Sequence, residues 1–106
     1  MAGRVSQALG PWLDRHIAAA PPVLRDRLVE LTGARRARLD LAAALAEAGR
    51  ATVERVIAST GERSEALNLL SADGLVTLSL LAQAETDPAG LAGWSATLVQ
   101  LAAEGP

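Results

Sequence analysis

Apolar residues recur along this chain at intervals of three and four, and no stretch alternates between polar and apolar residues as a strand would. The periodicity predicts helices throughout, separated by short turns at glycine and proline residues. This pattern is typical of an all-α fold, and we expect a compact bundle of four to five helices with short turns. The predicted helical segments are 3–19, 22–31, 34–59, 62–86 and 88–104, with 62–86 as the central apolar helix.

The predicted helix ends rest on residues with known positional preferences. Pro22 suits a first helical turn, where a missing backbone N–H is not needed, and Gly33 suits a helix stop. Asp87 followed by Pro88 predicts an N-cap and the start of the last helix. Within the segment 3–19, Gly10-Pro11 predicts either a kink or a new helix start.

Length and composition favour a single small domain over residues 1–106. Half of the 106 residues are hydrophobic, and these are mostly leucine and alanine, which are strong helix formers. Phenylalanine and tyrosine are absent, and Trp12 and Trp94 are the only aromatic residues. A core of leucine and alanine buries less area per side chain than an aromatic core, so we expect a partner subunit to supply part of the stability.

The composition also argues against several classes of function. A net charge of −2 argues against a nucleic-acid partner, and all ten basic residues are arginine, as is typical of a GC-rich genome. Cysteine is absent and there is a single histidine, so we expect no metal site, and no cofactor motif is present. Asn68, Asp73 and Gln83 interrupt the most apolar segment, which argues against a membrane span. We therefore expect no membrane partner and a location in the cytoplasm.

An aspartate stands in the middle of the most apolar run, LNLLSADGLVTLSLL, at residues 67–81. On a helical wheel the leucines fill a broad arc, and Asp73 and Thr77 fall at its centre, one turn apart. We therefore predict that Asp73 points into the core, where an unpaired carboxylate is costly and needs a partner. The opposite, polar side is expected to face solvent or a polar seam; it carries Ser64, Glu65, Asn68, Ser71, Ser79, Gln83 and Thr86.

Three interpretations of Asp73 follow from this placement. Asp73 is a structural residue, paired with an arginine or capping a helix. Alternatively, Asp73 and Thr77 line a pocket with His16, which shares an apolar stripe of the first helix with Trp12, and a desolvated carboxylate there can act as a general base. In the third interpretation the helix breaks at "SADG", and Ser71 is the N-cap of a new helix.

The leading functional hypothesis is a non-enzymatic helical module that acts through protein–protein contact, as a homodimer. Its basis is the segment 62–86, which is apolar over more than half of its circumference, more than a small bundle needs. The alternative is a ligand-binding protein or metal-independent enzyme with an apolar pocket between helices, holding a small apolar molecule with one polar or cationic group. In that alternative Asp73 and His16 are the catalytic pair, and the ligand-binding residues are Thr77, Trp12, Leu70 and Gly74.

Overall fold

The fold is an all-α bundle, as the periodicity predicts. The computed structural model describes residues 7–59, 61 and 63–103, and within them there are five α-helices and no strand. Two single 3₁₀ turns, Gly33–Arg35 and Pro88–Gly90, precede the third and the fifth helix. The helices are α1 (Leu9–His16), α2 (Pro22–Thr32), α3 (Leu41–Ala58), α4 (Ser64–Thr86) and α5 (Leu91–Ala103).

The two longest helices, α3 and α4, form an antiparallel hairpin that makes most of the helix–helix contacts. Ala42 of α3 contacts Ser79 of α4, and Gly49 contacts Ala72, so position rises on one helix as it falls on the other. The described part of the molecule measures 49 × 31 × 21 Å. The hairpin is therefore the scaffold on which α1, α2 and α5 are placed.

Small residues set the distance between α3 and α4. A Cβ atom added at Gly49 would lie 3.3 Å from Val76 Cγ2 and 3.4 Å from Leu75 Cβ, which leaves little space for a side chain. In the sequence, Gly49 lies in the middle of the apolar side of its predicted helix, which favours a close helix crossing, and the structure confirms this crossing. The other buried residues along this contact are also mostly small: Ala44, Ala48 and Thr52 on α3, and Ala72, Ser79 and Ala82 on α4.

The prediction that the third segment is helical from residue 34 is wrong, because α3 begins at Leu41. The preceding residues instead cap α1. The N–H of Leu9 donates to the carbonyl of Arg38 at 2.7 Å, and the N–H of Gly10 donates to the carbonyl of Arg36 at 2.9 Å. A helix start has free N–H groups, and these two carbonyls satisfy two of them. This contact joins residues far apart in sequence, so local pattern could not reveal it.

Other predicted ends agree with the structure. Pro11 lies in the first turn of α1, so Gly10-Pro11 is a helix start. The Asp87 side chain accepts a hydrogen bond from the Gly90 N–H at 3.2 Å, which confirms the cap, although it opens the 3₁₀ turn before α5. The predicted helix over 62–86 is present as Ser64–Thr86 and runs unbroken through Ser71 and Gly74. The interpretation of "SADG" as a helix break is therefore wrong.

The core lies between α1, α2 and the hairpin. Its main side chains are Leu9, Trp12 and Leu13 of α1, Ile17 directly after α1, Leu28 of α2, Leu41 and Leu45 of α3, and Leu75 of α4. The last helix differs from the others, because none of its described residues is buried. It also carries no charged residue between Leu91 and Ala103. An apolar helix thus lies on the outside of the bundle.

Candidate functional site

The orientation of α4 is opposite to the one predicted. The side chain of Asp73 is exposed, and so is that of Thr77, so the prediction that Asp73 points into the core is wrong. Leu69, Leu70 and Leu81 are 56%, 52% and 39% exposed. The buried side includes Asn68, Ser71 and Ser79, which the sequence assigned to solvent or a polar seam, together with Ala72, Leu75 and Ala82.

Hydrogen bonding and size explain why α4 buries its polar side. The Ser71 hydroxyl donates to the carbonyl of Leu67, and the Ser79 hydroxyl donates to the carbonyl of Ala42 on α3, each at 2.8 Å. Asn68 accepts from Arg27 at 2.7 Å and donates to Glu65 at 2.8 Å. A buried hydroxyl with a bonded partner costs little, and small side chains allow α3 to approach closely. A helical wheel ranks residues by hydrophobicity alone, so it accounts neither for the hydrogen bonds of buried hydroxyls nor for the size of the side chains.

The outward side of α4 forms a continuous surface that we call the leucine face. It extends about 27 Å along the helix at 1.5 Å per residue. Asp73 lies at its centre, and within the part of the chain that the structure describes no hydrogen bond or ion pair involves the carboxylate of this residue. The exposed or half-buried residues of the face are Ala66, Leu69, Leu70, Asp73, Thr77, Leu80, Leu81 and Ala84.

His16 and Trp12 lie together, as the sequence predicts, but far from Asp73. Their rings stack with centroids 4.0 Å apart. The Trp12 indole N–H donates to Glu85 Oε1 at 3.0 Å, and His16 Nε2 lies 3.2 Å from Glu85 Oε2. Glu85 is about 18 Å along α4 from Asp73 at 1.5 Å per residue. The structure therefore does not assemble the predicted catalytic pair of Asp73 and His16.

Glu85 is the acceptor that organises this second cluster. The indole N–H of Trp12, followed by His16, lowers the pKa of the Glu85 carboxyl below its ordinary value. His16 Nδ1 also lies 2.8 Å from the carbonyl oxygen of Trp12. Both ring nitrogens thus face oxygen atoms that only accept hydrogen bonds. The cluster fastens α1 to the end of α4.

The remaining predicted pocket residues do not form a pocket either, although Leu70 and Thr77 lie on the same side of α4 as Asp73. Leu70 belongs to the leucine face, and Thr77 donates its hydroxyl to the carbonyl of Asp73 within α4 at 2.9 Å. Gly74 turns towards α2, where a Cβ atom would lie 3.8 Å from Leu28 Cδ2. These residues do not enclose a common cavity, so the predicted pocket around Asp73 is wrong in position.

An apolar groove lies elsewhere, between α3 and α5, with a volume of about 340 Å³. Val76 of α4 forms its floor, and Arg50 and Glu54 stand beside it with their charged groups 3.8 Å apart. The helical periodicity of the sequence did not predict this groove. The available signal was the absence of charged residues in α5, which leaves that helix without the charged side that a surface helix usually has. Its other lining residues are Ala46, Gly49, Val53, Ile57, Leu98, Val99, Leu101 and Ala102.

The arginines of the segment before α3 are engaged in ion pairs. Arg36 makes a two-pronged contact with Asp14, at 2.8 and 3.4 Å. Arg38 contacts both Asp40 and Glu47, and its guanidinium lowers the pKa of each of these carboxyls. These pairs are exposed and contribute little to stability. Their geometry orients the loop that caps α1.

Within the described residues, no three histidine, aspartate or glutamate side chains are grouped so that they could hold a metal ion. One helix in the described part, Glu65–Thr86, is long and apolar enough to cross a membrane by length and composition alone, and 33% of its most apolar window is buried in the bundle. No family model, curated protein or solved structure matches the chain. The leucine face of α4 and the groove between α3 and α5 are therefore the two features of the molecule that bear on its function.

Proposed function

We propose that this protein is a small helical module that acts through protein–protein contact, and that it forms a homodimer through the leucine face of α4. The observation that carries the proposal is the exposure of Leu69, Leu70 and Leu81 along one side of a single helix. Contiguous apolar surface of this kind marks interaction sites in soluble proteins, whereas single exposed leucines do not.

The energetics favour covering this face. Burying a leucine side chain fully contributes about 1.5–3 kcal/mol, and a symmetric contact buries each leucine twice, once on each protomer. Trp12 is the only large aromatic side chain in the core, so the core buries little apolar area per residue. The stability of the isolated bundle is reduced further by the apolar area that stays exposed on α4. Association would therefore supply stability that the isolated bundle lacks.

The size of the face indicates a reversible dimer. A contact about 27 Å long and about 10 Å wide is smaller than the roughly 800 Å² per partner that stable dimers bury. We expect association in the micromolar range, with α5 extending the contact from the flank that it occupies beside Val76.

The test is sedimentation equilibrium over a wide range of protein concentration. The wild-type protein is expected to shift from monomer to dimer, and Leu70→Glu is expected to remain monomeric, because a charge at the face must be desolvated on association. Leu39→Glu is the matched control, since Leu39 is 61% exposed but lies in the loop before α3. A wild-type protein that stays monomeric at the highest soluble concentration would contradict the proposal.

The placement of Asp73 supports a binding role over catalysis. General-base chemistry at Asp73 requires a desolvated carboxylate in a pocket with His16. The side chain of Asp73 is exposed, and His16 contacts Glu85 instead. As a soluble interaction module, the protein would act in the cytoplasm without cofactor or metal.

The groove between α3 and α5 favours a second candidate function, the binding of a small apolar molecule. Its volume of about 340 Å³ falls at the lower end of the range for ligand sites, and Arg50 at its edge suits a carboxylate group. Decanoate is a suitable probe. Titration calorimetry is expected to show binding to the wild-type protein that Val53→Glu abolishes and Val23→Glu, on α2, leaves unchanged. Absence of heat with both decanoate and decanol would remove this candidate.

A further inference from the structure

We propose that two copies of the chain pair through their α4 helices in antiparallel orientation, with the two-fold axis at the level of residue 75 and each Asp73 opposite the partner copy's Thr77. This inference rests on the proposed function, and it specifies the partner and the register of the contact. It also explains why an aspartate occupies the centre of the leucine face.

The leucine face is nearly symmetric in sequence about position 75, with one non-identical pair. Ala66 and Ala84 are equally far from position 75, and so are the pairs Leu69 with Leu81, Leu70 with Leu80, and Asp73 with Thr77. In an antiparallel contact about a two-fold axis, each residue meets the residue of the partner copy that lies equally far beyond the centre. The face therefore presents alanine to alanine, leucine to leucine and aspartate to threonine.

Leu75, the residue at the level of the two-fold axis, does not obstruct the contact between the two helices. Leu75 is fully buried and points to the core, on the side of α4 opposite the face. Asp73 and Thr77 therefore lie on either side of the axis, and no bulky side chain separates the two helices there. The alanines at both ends of the face allow the helix backbones to approach.

Repulsion between like charges and hydrogen bonding select the antiparallel orientation. In a parallel contact the same residues meet, so the two Asp73 carboxylates would lie directly against each other in an apolar surface. In the antiparallel contact each carboxylate faces a hydroxyl, which can donate a hydrogen bond. The Thr77 hydroxyl, now bonded to the Asp73 carbonyl at 2.9 Å, turns to the carboxylate of the partner copy. A single polar residue in an apolar helix contact is a known means of fixing register.

The neighbouring helices leave the face accessible. On one flank Gly74 packs towards Leu28 of α2, and on the other Val76 borders the groove beneath α5. The face lies between these flanks, and a second α4 helix can reach it without displacing either neighbour.

Site-directed spin labelling tests the register directly, because the chain contains no cysteine that would need to be removed. Labels are attached to Ala66→Cys and, in a separate protein, to Ala84→Cys. In the proposed dimer two labels at position 66 are expected about 27 Å apart, measured along the helix axis, and the same distance is expected for position 84. Mixing the two labelled proteins is expected to add a short distance, of about 10 Å between helix axes.

Charge removal provides a second test. Asp73→Asn is expected to tighten the dimer about five- to tenfold, because an amide donates to the Thr77 hydroxyl and the two charges near the axis are lost. Asp26→Asn is the matched control, an exposed aspartate on α2 that lies off the face. The measurement is sedimentation equilibrium of each variant at the same ionic strength.

The outcomes separate this inference from the proposed function. A monomeric wild-type protein overturns both. If Leu70→Glu abolishes the dimer, the leucine face is the contact. If, in addition, two labels at position 66 lie close to each other, the helices pair in parallel and the antiparallel register is overturned. A dimer that Leu70→Glu leaves intact overturns the face as the contact. Co-sedimentation of wild-type protein, but not of Leu70→Glu, with phosphatidylcholine–phosphatidylglycerol vesicles would identify a membrane as the occupant and overturn the second copy.

Discussion

At the scale of single residues, Ser79 shows how a polar group can join helices inside this bundle. Its hydroxyl is fully buried, donates to the carbonyl of Ala42 on α3 at 2.8 Å and accepts from the Trp94 indole N–H at 3.0 Å. One hydroxyl thus connects α3, α4 and α5. Within the described residues no buried side-chain nitrogen or oxygen lacks a hydrogen-bond partner.

Replacing Ser79 by alanine is expected to lower the free energy of unfolding by about 1–2 kcal/mol, because the indole N–H loses its acceptor and a cross-helix bond is lost. Urea denaturation measures the change. Ser95→Ala is the control, since the Ser95 hydroxyl is exposed and bonds only within α5. Equal stability of Ser79→Ala and wild type would mean that the three-helix connection contributes nothing.

The cluster of Trp12, His16 and Glu85 gives a pH-dependent prediction. Because the Trp12 indole and then His16 lower the pKa of Glu85 from its ordinary 4.5, the ionised carboxylate stabilises the fold above that pH. This contribution is lost as the pH falls through the lowered value. The unfolding free energy of wild type is therefore expected to exceed that of Glu85→Gln near neutral pH, and the difference should vanish at acid pH.

Urea titrations at a series of pH values from about 6 down to about 3 measure that difference. A gap between wild type and Glu85→Gln that stays constant across the range would show that ionisation of Glu85 is not linked to folding. Far-UV circular dichroism at each pH verifies that both proteins start from the folded state.

At the scale of elements, the α3–α4 contact depends on the absence of a side chain at Gly49. Gly49→Val is expected to destabilise the fold by about 1–3 kcal/mol, because the added atoms meet Val76 and Leu75 within 3.4 Å. Gly93→Val is the matched control on α5, where nothing lies within 4 Å of an added Cβ. The control is expected to change stability by less than about 0.5 kcal/mol, since valine and glycine differ little in helix propensity.

Thermal denaturation of both variants and wild type provides the comparison. The expected order has Gly49→Val lowest and Gly93→Val close to wild type. If both variants lose the same amount, the loss is not specific to position 49 and the close crossing at Gly49 has no special energetic role.

At the scale of the whole molecule, apolar surface on the outside links stability to protein concentration. A ligand that binds only the folded state raises the thermal midpoint, and here the ligand is a second copy. The midpoint of the wild-type protein is expected to rise by about 2–4 °C for each tenfold increase in concentration. Leu70→Glu is expected to show a constant midpoint. Scanning calorimetry of both proteins at several concentrations distinguishes these outcomes.

Much of the fold was predictable from the sequence because it depends on local chemistry. The helices α2, α4 and α5 begin and end near the positions that Pro22, Gly33 and Asp87 indicate, and the close crossing at Gly49 follows from a glycine on an apolar helix side. The start of α3 was not predictable, since it depends on carbonyls of Arg36 and Arg38 that cap a distant helix.

The sequence by itself determined that this protein is a helical bundle and that α4 carries two different sides, one rich in leucine and one rich in small polar residues. Only the tertiary structure decided which side is buried. If the burial of apolar area were the only contribution to the folding free energy, the leucine side would be buried. However, α3 presents the small residues Ala44, Ala48 and Gly49, and a helix can approach them closely only with small side chains of its own. Such side chains are Ser71, Ala72 and Ser79. Their hydroxyls find carbonyl partners inside, so the polar side is buried at little cost and Asp73 remains on the surface with the leucines.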